Sequence, residues 1–208
     1  LRSMDLGCYG SSQVKTPNID RIAGEGIQFT NAISTYPVCS PFRAMLMTGN
    51  YPTKNGMVVN DHFLDNPTPY FAEIYKNAGY RTAYIGKWHL DGFGRTVYIP
   101  EERQRGFDFW RALECTHDYF NSMYYKDNSP EQHKWEDYDA LAQAREASNY
   151  INEQVGDEPF ALFLSWGPPH GPYIAPEEFM DRFTPDMIEL RKNVNDFPPA
   201  IEMWEQCN

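Results

Sequence analysis

Three short stretches carry residues whose chemistry and spacing suit work on an anion. The first is Cys39-Ser40-Pro41-Phe42-Arg43, which reads as a loop turning into a helix. Pro41 suits the first helical position, where its missing N–H costs nothing, and Ala44 to Met47 are good helix formers before a stop at Gly49. Cys39 then lies just before the first turn, where unpaired N–H groups and the helix dipole favour negative charge on sulfur or on a bound oxyanion. Arg43 lies one turn in and can point back at the same spot. Taken alone, a cysteine before a helix is more often a small buried apolar residue. The second stretch is Gly86-Lys87-Trp88-His89. Its lysine is a flexible point charge for an anion, and its histidine suits proton transfer near neutral pH. The third is His170, within Gly167-Pro168-Pro169-His170-Gly171-Pro172, where flanking prolines fix the loop.

The elements around these stretches must bring them together. Thr16-Pro17 predicts a short helix with Thr16 as N-cap and Gly24 or Gly26 as its stop. Ile27 to Ile33 alternates apolar and polar residues as a strand would. Thr68-Pro69 predicts a second helix, with Phe71, Ile74, Tyr75 and Ala78 on one face and Gly79 closing it. Arg81 to Ile85 is then a strand that delivers Lys87 and His89 at its C-terminal end. Two apart, they can point the same way off the sheet edge, where open α/β sheets bind ligands. Residues 91–134 read as irregular and aromatic-rich. A long helix begins at Tyr138 or Asp139, with Leu141, Ala144, Ser148, Ile151 and Val155 along one face. Pro159 to Trp166, with Phe160 to Leu164 at its centre, is a near-continuous apolar run and predicts a buried central strand.

C-x-P-x-R followed by Thr48-Gly49-Asn50-Tyr51-Pro52, then G-K-W-H, then P-H-x-P after an apolar strand, resembles the motif set of the type I sulfatases in the family's own order. Asp5-Leu6-Gly7-Cys8-Tyr9-Gly10 and Thr16-Pro17-Asn18-Ile19-Asp20 are similar to family text as well, and the similarity extends from Leu1 to about Val194. The resemblance implies an α/β fold, the alkaline-phosphatase-like mixed sheet with helices on both faces. It implies that residues 1–208 are the N-terminal part of a single catalytic domain, cut at both ends. It implies that Cys39 is oxidised to formylglycine by a formylglycine-generating or anaerobic sulfatase-maturating enzyme. Lys87 would bind sulfate, His89 would contact the formylglycine and assist its turnover, His170 would protonate the leaving oxygen, and Arg43 would stabilise charge. The family's divalent cation, normally calcium, would take residue 39 as formylglycine for one ligand. Its other ligands belong to an Asp-Asp pair before Leu1 and to a second pair beyond residue 208. His117 and Asn121, in the irregular segment, are candidates for contact with the leaving group. Arg103, Arg105 and Arg111 could meet an acidic sugar, although a solvated charge face is the commoner use.

Composition bounds the rest. A chain of 208 residues with 41% hydrophobic and 15% aromatic residues can bury a sizeable core. A net charge of −11 argues against a nucleic-acid ligand, which needs a basic footprint. No apolar run reaches membrane-span length, and no signal peptide is visible from Leu1 onward. Cys8, Cys39, Cys115 and Cys207 form neither a zinc-type pair nor a dense disulfide framework. The activity that the resemblance implies is hydrolysis of a sulfate ester, on a sulfated carbohydrate. A phosphodiester or phosphonate monoester hydrolase shares C-x-P-x-R, and a non-catalytic sulfated-glycan binder would keep the pocket without turnover. The family implies a periplasmic or secreted location.

Overall fold

The computed structural model describes residues 3–154, 156, 158–184 and 187–189. Val155, Cys207 and the ends of the similarity at Leu1 and Val194 lie outside them. The described residues divide into two compact units, one within 31–175 and one within 1–30 and 176–208.

The smaller unit holds α1 (Pro17–Glu25), started by Thr16 and Pro17 and followed by Gly26. Asp20 ties it to the preceding turn, accepting from Thr16 Oγ1 at 2.9 Å and from the Cys8 N–H at 2.7 Å. The strand expected over Ile27 to Ile33 does not form. Ile27, Phe29 and Ile33 are exposed, and no strand pairs with this segment among the described residues. Alternation without a partner leaves backbone groups to water, so the pattern alone does not make a strand.

The larger unit is built on a five-stranded mixed sheet. β1 (Arg81–Lys87) lies between β2 (Phe109–Leu113) and β5 (Phe160–Ser165), parallel to both. β3 (Met123–Lys126) and β4 (Gln132–Lys134) continue beyond β2 as antiparallel strands, giving the order β4-β3-β2-β1-β5. Three strands therefore lie within the segment read as irregular. They are only three to five residues long, and Phe109-Trp110-Arg111-Ala112-Leu113 has no clean alternation because both its faces are covered. β5 is an edge strand among the described residues, half-buried, and not the buried central strand that its apolar run predicted.

The two faces carry separate cores. On one, Tyr84 stacks between Trp110 and Phe163, its register partners on β2 and β5, with ring centroids 5.3 Å apart in each pair. Ala44 and Met47 of α2 (Cys39–Thr48) and Ala72 of α4 (Phe71–Asn77) join this cluster. Between those helices lies the short α3 (Pro52–Asn55). On the other face Ile85, Phe109, Leu162 and Leu164 meet Ala142 and Ala147 of α5 (Asp139–Glu153). The chain thus has the α/β arrangement of a mixed sheet with helices on both faces that the resemblance implies. The last helix among the described residues, α6 (Glu177–Met180), belongs to the smaller unit.

Helix starts and faces differ from the sequence reading in three places. α2 begins at Cys39, so Pro41 is its third residue; the Phe42 N–H makes the first helical bond, to Val38 O at 2.9 Å, and Pro41 still forfeits nothing. Gly49 ends α2 in the left-handed conformation, φ 66°. α4 starts at Phe71, where Glu73 accepts the Tyr70 N–H at 2.7 Å. Only its first turn packs inward, through Phe71 against Phe107 and Phe163, so Ile74, Tyr75 and Ala78 are exposed. α5 turns Ala142, Gln143, Ala147 and Tyr150 inward and leaves Ile151 exposed. Small alanines let this helix approach the sheet, which displaces the buried stripe by one residue from the one expected.

Candidate active site

Cys39 opens α2 as a free, half-buried thiol. The next N–H, of Ser40, donates to Asn60 Oδ1 at 2.9 Å. One turn on, Arg43 points toward the sheet. Its Nη1 donates to Lys87 O at 2.6 Å and to Ser165 Oγ at 2.8 Å, tying α2 to the ends of β1 and β5. The Tyr84 hydroxyl, standing under the site on the aromatic stack, also donates to Lys87 O. Gly86 makes this convergence possible. At φ 108° an added Cβ would lie 2.1 Å from Ser165 O, so a side chain there would push β5 away.

These residues line an open pocket of about 350 Å³, bounded by Ser34, Val38, Cys39, Phe42, Arg43, Lys87 and His170 among others, with no carboxylate among its described lining. Two cations, of which Arg43 is held by its own hydrogen bonds, and one histidine thus face a void large enough for a tetrahedral anion, on a chain of net charge −11. His170 sits in a turn after β5, held by the Tyr119 hydroxyl, which donates to His170 O at 3.0 Å. Its Nδ1 lies 2.7 Å from Gly171 O. A carbonyl only accepts, so Nδ1 carries a proton and Nε2 is the nitrogen left for chemistry.

His89 does not join that lining. The strand ends at Lys87, and His89 adopts φ 60°, so the alternation that would point both side chains the same way is broken. The His89 ring is buried, with Nε2 3.0 Å from Asp61 Oδ1. Burial first, then the charges of Lys87 and Arg43, push its pKa down to about 4 against the opposing pull of Asp61. Arg95 grips the same carboxylate with two nitrogens, which with His89 holds Asp61 well below the usual carboxylate range. The loop after His89 is gathered by buried Glu114, which accepts the N–H groups of Leu90, Asp91 and Gly92. Burial pushes this carboxyl up to about 7 although the three donors favour its charged form.

His117 stacks on His170, centroids 4.4 Å apart and planes 7° from parallel, while Cys115 Sγ lies 3.8 Å from its Nε2. Burial, Lys87 and His170 lower its pKa. Asn121 turns elsewhere, donating to Asp118 and accepting from Lys134 Nζ at 2.7 Å, so the structure removes it from the pocket. The three arginines considered for an acidic sugar are engaged within the fold: Arg103 by buried Asp91, Arg105 by Asn66 O and the Tyr70 ring, Arg111 by Asp127 and Glu146. Sequence reasoning missed Asp61, Tyr84 and Ser165. Ser165 and Tyr84 lie on strands that were predicted, but Asp61 sits in an unpatterned loop that offered no signal. Among the described residues no three His, Cys, Asp or Glu side chains group to hold a metal, so these residues do not make up a calcium cage. The free, accessible Cys39 does fit conversion to an aldehyde.

The family model "Sulfatase" matches residues 1–196. An ulvan-active sulfatase of Formosa agariphila is 45% identical over 196 residues, covering 93% of this chain and 38% of that protein. The N-acetylglucosamine-6-O-sulfatase of Bacteroides thetaiotaomicron is 32% identical over 168 residues, 79% of this chain and 28% of its own length. A solved structure of the sulfatase yidJ from Bacteroides fragilis superposes with a TM-score of 0.78 at 35% identity, covering 85% of this chain and 44% of the other. The chain therefore spans less than half the length of each of these relatives.

Proposed function

Because the chain belongs to the sulfatase family, we propose that it forms the sulfate-binding part of an enzyme that hydrolyses sulfate esters of carbohydrates, with Cys39 converted to formylglycine by a maturation enzyme. The observation that carries this reading is the pocket beside Cys39, where Arg43 and Lys87 meet His170 with no carboxylate in the described lining. As formylglycine, residue 39 supplies a hydrated aldehyde whose two hydroxyls serve attack on sulfur and then release of sulfate. Arg43, its Nη1 held by Lys87 O and Ser165 Oγ, presents a preorganised charge to the sulfuryl oxygens and needs no rearrangement as charge develops. Lys87 balances a second oxygen. His170, its Nδ1–H held by Gly171 O, turns Nε2 toward the leaving oxygen; as the imidazolium it gives the Nε2 proton to that oxygen and is left neutral with its proton on Nδ1. His117 holds the His170 ring by stacking. His89, neutral at neutral pH, is the base for product release. The names of the two relatives, an ulvan-active sulfatase and an N-acetylglucosamine-6-O-sulfatase, support a sulfated carbohydrate as substrate class.

The test joins two measurements on protein from its native host. Mass spectrometry of the peptide spanning residue 39 should show formylglycine, and the sulfate ester of an alcohol should be turned over faster than its phosphate ester. An intact thiol throughout a fully active preparation overturns the mechanism. Faster phosphate-ester turnover moves the reading to phosphodiester or phosphonate chemistry. Glycan binding without turnover, after confirmed conversion, makes it a binder.

A further inference from the structure

We infer that Asp61 is the positioning residue for His89: its carboxylate fixes the proton on Nε2 and leaves Nδ1 as the nitrogen that accepts a proton within the site. This rests on the reading of His89 as the base in sulfate-ester hydrolysis. His89 Nε2 lies 3.0 Å from Asp61 Oδ1. A carboxylate only accepts, so Nε2 must carry the hydrogen. A neutral imidazole has one N–H, and neutrality is favoured here by burial and by the charges of Lys87 and Arg43. Nδ1 is then a lone-pair acceptor. It is buried and has no donor among the described residues, an arrangement that costs free energy unless another group comes to it.

Asp61 is itself secured. Arg95 binds it in a fork, Nε to Oδ1 at 3.0 Å and Nη2 to Oδ2 at 2.8 Å. The two partners also share an uncommon backbone state. Asp61 has φ 59° and His89 has φ 60°, both in the left-handed region. Each such residue is strained and persists only where its surroundings over-determine it. Those surroundings are visible. The Leu64 N–H donates to Leu90 O at 3.0 Å, and a Cβ on Gly92 would lie 2.2 Å from the Phe63 nitrogen, so the two loops run against each other. Glu114 collects the N–H groups of the second loop. A structural contact alone would not need to leave Nδ1 empty.

The test uses the full-length protein with 15N-labelled histidine. Nitrogen NMR reads the His89 tautomer whether or not a substrate is turned over, with the signal assigned by its loss in His89→Gln. Wild-type His89 should carry its proton on Nε2. Asp61→Asn keeps size and tolerates the left-handed backbone, but its amide can donate to Nε2 and so should move the proton to Nδ1. Turnover of an aryl sulfate by this variant should fall about tenfold or more in kcat with KM nearly unchanged. Arg95→Lys should keep the wild-type tautomer. A proton on Nδ1 in the wild type overturns the proposal, and so does an Asp61→Asn variant with wild-type tautomer and kcat. If His89→Gln turns over like the wild type, it is the reading of His89 as base that fails. If His89→Gln is slow and Asp61→Asn is not, only the role of Asp61 falls.

Discussion

The His89 side chain has a definite consequence for stability. Its pKa, about 4 in the folded protein, lies below the value of about 6.5 for a free histidine. The unfolded chain therefore binds more protons between these values, and folding is weakened as pH falls through them. The contribution is fully present above pH 6.5 and is lost as pH drops to about 4, on the order of 3 kcal/mol for a ring this buried. Asp61 titrates below that window. Urea unfolding at pH 7 and 4.5 should show the wild type losing more stability than His89→Gln over this interval; equal losses would mean that the ring is not held neutral. At this scale the sequence was informative where a motif spelled out chemistry, at Cys39, Lys87 and His170. It was silent at Asp61, because a carboxylate in a loop has many uses and only the partner 28 residues away gives it one. Asn121 shows the opposite failure, a suitable residue type engaged by Asp118 and Lys134.

Among the elements, β1 and β5 set the position of everything else. Their junction depends on Gly86, whose missing Cβ leaves room for Ser165 O. Gly86→Ala combines a left-handed φ with a backbone clash, and the expected loss is about 3 kcal/mol or more. Thermal unfolding would show it as a fall in Tm of several degrees, with weakened binding of sulfate. A variant of wild-type Tm would mean that β5 yields at no cost. β1, β5 and the helix after Cys39 were legible because their apolar runs and stop residues are long enough to read. β2, β3 and β4 were not. Their stabilisation comes from neighbours supplied by distant sequence, as in the stack of Trp110 on Tyr84. The alternating stretch from Ile27 to Ile33 failed for the same reason, since a strand is a property of a pair.

Over the whole chain, the division into two units had no compositional mark, and neither passage between them reads as a linker. Both nonetheless carry exposed aromatic residues, Phe29 at 68% and Tyr173 at 70% exposure, whereas Tyr84 and Trp110 in the sheet are wholly buried. Limited chymotrypsin digestion of this chain should therefore cut first after Phe29 and Tyr173, because cleavage needs exposed backbone that opens cheaply. The product, residues 30–173, would retain Cys39, Arg43, Lys87, His89 and His170. First cuts within the sheet would show that the larger unit is not the more stable one.

The bonds of Arg43 also set an order of events in time. They join residues 44 and 122 positions apart, to Lys87 and Ser165. Contacts of such long range must wait for large loops to close, whereas helices form from their own neighbours far sooner. On refolding, helical signal should return first, and the capacity to hold sulfate should return only with the slowest phase, when β5 docks. Simultaneous recovery of both would mean that the anion pocket assembles without its last wall. The pocket is in that sense a clock for the fold: an anion finds its place only after the chain has finished finding its own.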